Sequence, residues 1–244
     1  MKKIIFFVFA TCIGCKKLNT VKAVMPASEA IFFITDVTNN HNLKSTAFEA
    51  LQEFKLEQNP NSEVWFRLSA ITDKKINKTY YQYLPNDSTT EVKNIQDDPQ
   101  FRAKTVQKFY QSVKESYGEF YSDFDTSKNL GFSECWASIA EAVNSLEKTK
   151  AQSKVLYIYS DLAEHTNSIN VYSTRFNEDK LEEAFLKASS IPKHLESFKI
   201  VITNIPVTRS DDKRFCKLMS VYNHIFSCRG ASVTLNTSSQ IIEL

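Results

Sequence analysis

Three short segments of this chain carry oxygen-bearing side chains in positions where chemistry could be done. They are Asp36-Val37-Thr38-Asn39-Asn40, Gly131-Phe132-Ser133 and Ser160-Asp161. Their groups are carboxylates, hydroxyls and amides, the hard oxygen ligands that Mg²⁺ takes while keeping several of its waters. Two carboxylates that faced one another across a site would repel, and a cation between them would remove the repulsion.

These segments can meet only if the fold brings their ends together. Four apolar runs are continuous rather than alternating: AIFFIT (30–35), VWFRLSAI (64–71), VLYIY (155–159) and FKIVIT (198–203). Such runs suit strands buried on both faces of a parallel sheet. Asp36 follows the first run directly, and Ser160-Asp161 follows the third. The shorter, more polar 80–84 reads as an edge strand and 231–235 as a last strand. Apolar residues at helical spacing lie between the runs. One stripe is Val106, Phe109, Tyr110, Val113 and Tyr117; another is Trp136, Ile139, Ala140, Val143 and Leu146. A third is Leu181, Ala184, Phe185 and Ala188, with Pro192 beyond it, and a fourth runs from Phe215 to Phe226 with Gly230 just past its end. A shorter helix is expected at 47–54, and polar loops at 86–98 and 121–130.

Strands alternating with helices imply an α/β fold: a doubly wound, mostly parallel sheet with helices on both faces, Rossmann-like in class. In open sheets of this kind ligands bind outside the carboxyl ends of the strands, where all three oxygen-rich segments fall.

The order of elements over roughly residues 29–236, together with these segments, resembles the von Willebrand factor A-type (VWA) family. That family has an Asp-x-Ser-x-Ser motif after its first strand, a Thr before a mid-chain helix and an Asp after its fourth strand. Together they form a metal-ion-dependent adhesion site. On this resemblance Asp36, Thr38 and Asn40 take the three motif positions, with Asn40 and Thr38 where the family has Ser. Ser133 takes the Thr position and Asp161 the final Asp. The gap from Asp36 to Ser133 is 97 residues (133 − 36), which suggests an insertion around 86–98. The resemblance implies Mg²⁺, or Mn²⁺ or Ca²⁺, at these residues, with an open coordination position for an acidic side chain of a protein partner. It implies a binding or assembly module and no catalysis. The residues leave a second outcome open, the same scaffold with its metal site lost. An Asp after a strand also serves as a turn residue, and Ser133 is a natural N-cap for the helix after it.

The N-terminus carries a separate signal. Lys2-Lys3 precede an apolar stretch, 4–13, and then Gly14-Cys15. Ten apolar residues are too few to span a bilayer, which takes about 20, but they match a secretory signal. The small residue before Cys15 resembles the lipobox of bacterial lipoproteins, although Cys12 stands where Leu is usual. That resemblance implies cleavage after residue 14, lipidation of Cys15 and a membrane-anchored protein of the cell envelope. The organisation expected is a signal peptide at 1–14, lipidated Cys15 and a tether over 15–28, and one domain over 29–244.

Composition excludes several functions. Removal of Lys2 and Lys3 takes the formal charge from +2 to zero (2 − 2), so no basic stripe points to nucleic acid. The four glycines, Gly14, Gly118, Gly131 and Gly230, are too scattered to cradle a nucleotide's phosphates. Gly131-Phe132-Ser133-Glu134-Cys135 partly resembles the G-x-S-x-G elbow of α/β-hydrolases, and His165, His194 and His224 follow Asp161 in the required order. That elbow needs a strand before it, and SDFDTSKN (122–129) is too polar, so serine hydrolysis ranks third. A D-x-D phosphoryl-transfer pattern fails because position 38 is Thr. Cys135, Cys216 and Cys228 have no zinc-ligand spacing and are expected to be mostly buried.

If Cys15 carries the anchor, Cys15→Ala releases the protein from the membrane fraction, and a metabolically supplied fatty acid labels the wild type only. Soluble, unlabelled protein in both cases would refute the anchor.

Overall fold

The computed structural model describes residues 28–38, 62–74, 77–86, 99–123, 131–172, 177–204 and 208–236. Cys15 and the N-terminal segment, Asn40, the helix expected at 47–54 and most of the two polar loops lie outside them. Ten elements follow in chain order: β1 (Ser28–Asp36), β2 (Glu63–Ile71), β3 (Thr79–Leu84), α1 (Pro99–Asp123), α2 (Cys135–Glu147), β4 (Ser153–Tyr159), α3 (Glu178–Ala188), β5 (Phe198–Thr203), α4 (Arg209–Ser227) and β6 (Ser232–Asn236).

The strands form one six-stranded sheet in the order β3-β2-β1-β4-β5-β6. All pairs are parallel except β2–β3, in which Trp65 faces Tyr83 and Arg67 faces Tyr81. This is the doubly wound α/β class read from the apolar runs, with the polar run at 79–84 as its antiparallel edge. The chain leaves β1 toward β2 on one side and β4 toward β5 on the other. Between β1 and β4 lies the topological switch point, where sheets of this order open a crevice.

β1 is continuous in hydrophobicity because both of its faces are covered. Ala30, Phe32 and Ile34 belong to the core under α2, α3 and α4, while Ile31 and Phe33 belong to the core under α1. The first core centres on Trp136, whose ring stacks on Phe185 at 5.3 Å and meets Tyr222 edge-on at 5.6 Å. Its indole N–H donates to the Ser189 carbonyl at 3.0 Å, so the one polar atom of the ring is satisfied. In the second, Val106, Phe109, Val113 and Phe120 of α1 pack on Phe33, Phe66 and Leu68.

Several helix ends have a visible cause. Asn177 caps α3 by accepting from the Lys180 N–H, and Thr208 caps α4 by accepting from Asp211. Past α4, Gly230 takes φ +91°, and Ala231 N–H returns to the Phe226 carbonyl at 3.2 Å. α1 runs to Asp123, past the loop boundary expected at 121. Asp123 is held there by Lys78 Nζ at 2.6 Å and by the Tyr80 hydroxyl.

Two expectations are corrected. Cys216 and Cys228 are exposed and only Cys135 is buried; all three are free thiols. Cys216 sits on α4 one residue past the buried Phe215, about 100° around the helix from it. Cys228 lies at the helix end, beyond its apolar stripe. Ser133 is not the cap of α2 either: the N-cap residue is Glu134, and its side chain makes no capping bond.

Trp136 sits where three elements meet, so Trp136→Ala should cost about 3–5 kcal/mol. Urea unfolding of the wild type and variant measures this; a loss under about 1 kcal/mol would mean that the aromatic cluster is not the centre of the core.

Candidate functional site

Asp36 is the last residue of β1, in the middle of the sheet's carboxyl edge, and it is buried. Its Oδ1 accepts from the Thr38 N–H at 2.9 Å and the Thr38 hydroxyl at 2.6 Å. Its Oδ2 accepts from the Ser160 hydroxyl, just past β4, at 2.8 Å. Ser160 Oγ in turn accepts the Leu162 N–H at 2.9 Å. The carboxyl is pushed up to about 6, first by burial and then by the charge of Asp161, against the hydrogen bonds from Thr38 and Ser160. Asp161 itself accepts the Ala163 N–H at 2.9 Å and is partly exposed.

Leu162, between these bonds, is fully buried and has φ +61°. A left-handed conformation in a bulky residue costs about 1–3 kcal/mol and persists only where its surroundings fix it. Here the surroundings are the two side chains of Ser160 and Asp161, each holding an N–H two residues on.

Ser133 reaches the same end of the sheet from the other side. Its backbone pairs with His165, N–H to carbonyl at 3.0 Å and back at 3.1 Å, and Glu134 N–H donates to the Thr72 carbonyl at 2.8 Å. The Ser133 hydroxyl is buried and has no hydrogen-bond partner among the described residues. The start of α2 is closed by Glu164, whose carboxylate accepts the Trp136 N–H at 2.7 Å and also bonds the Cys135 backbone. The first turn of α2 has no acidic residue of its own, so a carboxylate from the loop after β4 meets its unpaired N–H groups and dipole. Burial is the main cause that pushes Glu164 up to about 7. A further chain of contacts runs from α4 to Asp36. The Tyr222 hydroxyl meets the buried Cys135 Sγ at 3.6 Å, and Sγ lies 3.7 Å from Ser160 Oγ.

The rim is aromatic. Phe132 stacks on His165 at 5.0 Å, His165 meets Tyr172 edge-on at 5.6 Å, and Arg214 lies over Tyr172 at 4.4 Å. Phe132 and Tyr172 are each about half exposed, at 47%. The Tyr172 hydroxyl is held protonated, first by burial and then by the charge of Asp161.

Of the residues singled out in the sequence, the fold joins Asp36 to Thr38 by hydrogen bonds and to Asp161 by charge. It sets Ser133 on the loop tied to both by Glu164 and Ser160; Asn40 lies outside the described residues. Among the described residues no hydroxyl–imidazole contact forms between Ser133 and a histidine: the Ser133 hydroxyl is unpartnered there, and the His165 ring packs against Phe132 and Tyr172. Glu164 and the aromatic rim were not read from the sequence. The one signal for Glu164 was an α2 start without an acidic first turn. Among the described residues no three His, Cys, Asp or Glu side chains form a metal-binding group.

No family model matches the chain, and no curated protein does. Among the solved structures similar to it are these two. One is the crystal structure of the SpRpn10 VWA domain, with a TM-score of 0.39 and 13% identity, over 88% of this chain and 89% of that one. The other is a point mutant of the PilB minor pilin from Streptococcus sanguinis, with a TM-score of 0.41 and 9% identity, over 91% of this chain and 59% of the pilin chain.

The two raised carboxyls set a pH dependence. Each binds its proton more tightly folded than unfolded, so the proton's contribution to stability is full below about pH 4. It is lost as pH rises through about 6 for Asp36 and about 7 for Glu164. In EDTA the urea midpoint should therefore fall between about pH 5 and pH 8, and Asp36→Asn should flatten the fall. A midpoint that rises over this range, equally in wild type and variant, would mean that neither carboxyl is raised.

Proposed function

We propose that this chain is an exported, lipid-anchored VWA-like module of the cell envelope that binds a protein partner through a divalent cation. The observation that carries the reading is the buried Ser133 hydroxyl, unpartnered among the described residues, on a loop bridged to His165 at the end of the sheet that holds the interacting carboxylates Asp36 and Asp161. A buried hydroxyl without a partner costs about 1–3 kcal/mol, and a cation is one way to satisfy it. The donors are all hard oxygens, so they fit Mg²⁺, with Mn²⁺ or Ca²⁺ as substitutes. Asp36, Thr38, Ser133 and Asp161 would hold the ion, joined by Asn40. The bound ion would supply a coordination position for a carboxylate of the partner. Thr38 and Ser160 keep the Asp36 carboxylate oriented, and Glu164 keeps the Ser133 loop against the loop of Asp161. The half-exposed Phe132 and Tyr172 would give the partner apolar contact area around that carboxylate.

The reading is non-catalytic. It takes its VWA element from the motif segments and strand order, its anchor from Cys15 and its cation from the oxygen donors. One observation favours a second reading, the same scaffold with no cation: both Asp36 oxygens already accept hydrogen bonds within the chain.

A ligand that binds only the folded state adds about 2.7 kcal/mol at 100 times its dissociation constant. In a domain of this size one kcal/mol moves the melting midpoint by about 2–4 °C. Saturating Mg²⁺ or Mn²⁺ should thus raise the midpoint by about 5–10 °C over EDTA-treated protein. Asp161→Asn should remove most of that rise while leaving the metal-free protein as stable as wild type, since one of two like charges is gone. Equal midpoints for the wild type in Mg²⁺, Mn²⁺ and EDTA would rule out the cation and leave the second reading.

A further inference from the structure

A second site lies away from the carboxyl edge. α2 covers β1 and β4, and α1 covers the opposite face of β2 and β3. The sheet therefore steps out beyond α2 on the face that carries Trp65, Arg67, Thr79 and Tyr81. Between that face and Glu141 and Ser145 of α2, with Lys148 just past the helix end, is an open cleft of about 420 Å³. This lies within the range of about 300–1,000 Å³ that small-ligand sites occupy.

The cleft combines two chemistries. Trp65 is half-buried, with its ring 5.4 Å from that of Tyr83, and Tyr81 is 51% exposed. Exposed tyrosines on an edge strand need an account, because large apolar faces are otherwise turned inward. Between them and the helix, Arg67 is ion-paired to Glu141, with its side chain only 9% exposed. Its guanidinium lies 5.5 Å above the buried Phe32 ring. Arg67 Nε has no hydrogen-bond partner, nor has the nearby Ser138 hydroxyl. Both residues also border a small void of about 10 Å³ that shares Arg67 and Glu141 with the cleft. The opposite oxygen of Glu141 accepts from Ser145 at 2.9 Å, which fixes the carboxylate from the helix side.

We propose that this cleft binds a short saccharide, with the Trp65 and Tyr81 rings against the C–H faces of its sugars and the Arg67–Glu141 pair against its hydroxyls. Sugars have apolar faces edged by groups that both donate and accept. A planar aromatic ring meets the first, and adjacent guanidinium and carboxylate groups meet the second: one hydroxyl accepts from Arg67 while its neighbour donates to Glu141. Glu141 offsets the Arg67 charge, but Lys148 leaves the lining with one positive charge in excess, so an anion is the competing occupant that the glutarate arm of the test addresses. An apolar side chain would offer no hydrogen bonds to the Arg67 guanidinium and Glu141 carboxylate that line the cleft. The inference does not depend on the cation reading, since the cleft shares no residue with the Asp36 site.

The test uses the full chain, three soluble trisaccharides (chitotriose, cellotriose and maltotriose) and glutarate as an anionic probe. The chain has two tryptophans, of which Trp136 is buried in the core, so a ligand in the cleft reports through Trp65 fluorescence. At least one trisaccharide should give a saturable change below about 10 mM. The change should be absent in Trp65→Phe, and calorimetry should then show that Tyr81→Ala, at an exposed position, weakens binding by about 3–10-fold at an unchanged melting midpoint. Arg67→Lys, which keeps the charge and loses the planar fork, should weaken it as well. No saturable response to any of the three, wild-type affinity in both Tyr81→Ala and Arg67→Lys, or tighter binding of glutarate than of every sugar would each overturn the proposal.

Discussion

A carboxylate in the middle of a parallel sheet's edge must be neutralised or held by donors, because burying it unsatisfied costs several kcal/mol. Asp36 is that carboxylate, and much of this end of the molecule is arranged around it. β1 delivers it between β2 and β4, Thr38 turns the chain back on one oxygen, and Ser160 reaches the other. The Ser160 hydroxyl also takes the Leu162 N–H, and that bond and the Asp161 turn set the left-handed conformation of Leu162. The strain is thus placed beside the site, while the continuous apolar cores on both faces of β1 fix the strand that bears the carboxylate.

The second constraint is the start of α2. Its unpaired N–H groups find their acceptor in Glu164, a residue of the loop that follows β4. One buried carboxylate thereby joins the two loops that carry Ser133 and Asp161, and the backbone bridge between Ser133 and His165 doubles the joint. In the proposed cation site this arrangement is preorganisation: the donors are set by backbone pairing and buried side chains before any ion arrives. The burial that raises both carboxyls also makes a nearby positive charge favourable there.

The fold class was legible because it rests on local pattern. Unbroken apolar runs marked β1, β4 and β5 as strands buried on both faces, and the more polar run at 80–84 marked an edge, whose antiparallel sense came only with the sheet register. The positions of Asp36 and Asp161 at the carboxyl edge of the sheet were legible for a related reason, since Asp36 follows its run directly and Asp161 follows one residue after the end of its run. What was not legible depends on residues distant in sequence. Glu164 closes a helix that starts 29 residues earlier (164 − 135), and the aromatic rim draws on Phe132, His165, Tyr172 and Arg214. Cys216 was misread because cysteine is more often buried than exposed, and only the phase of α4 turns it outward. The saccharide cleft needed the sheet register, which sets Trp65 and Arg67 beside Tyr83 and Tyr81.

The cation at the switch point is the central claim, and anomalous diffraction from crystals grown with Mn²⁺ addresses it directly. The account predicts one strong anomalous peak bonded to Ser133 Oγ, at about the 2 Å distance of a hard divalent ion. The carboxylates of Asp36 and Asp161 should face that peak directly or through its waters. A map without a peak there, in which the Ser133 hydroxyl has a protein partner and Asp36 keeps its bonds to Thr38 and Ser160, would contradict it.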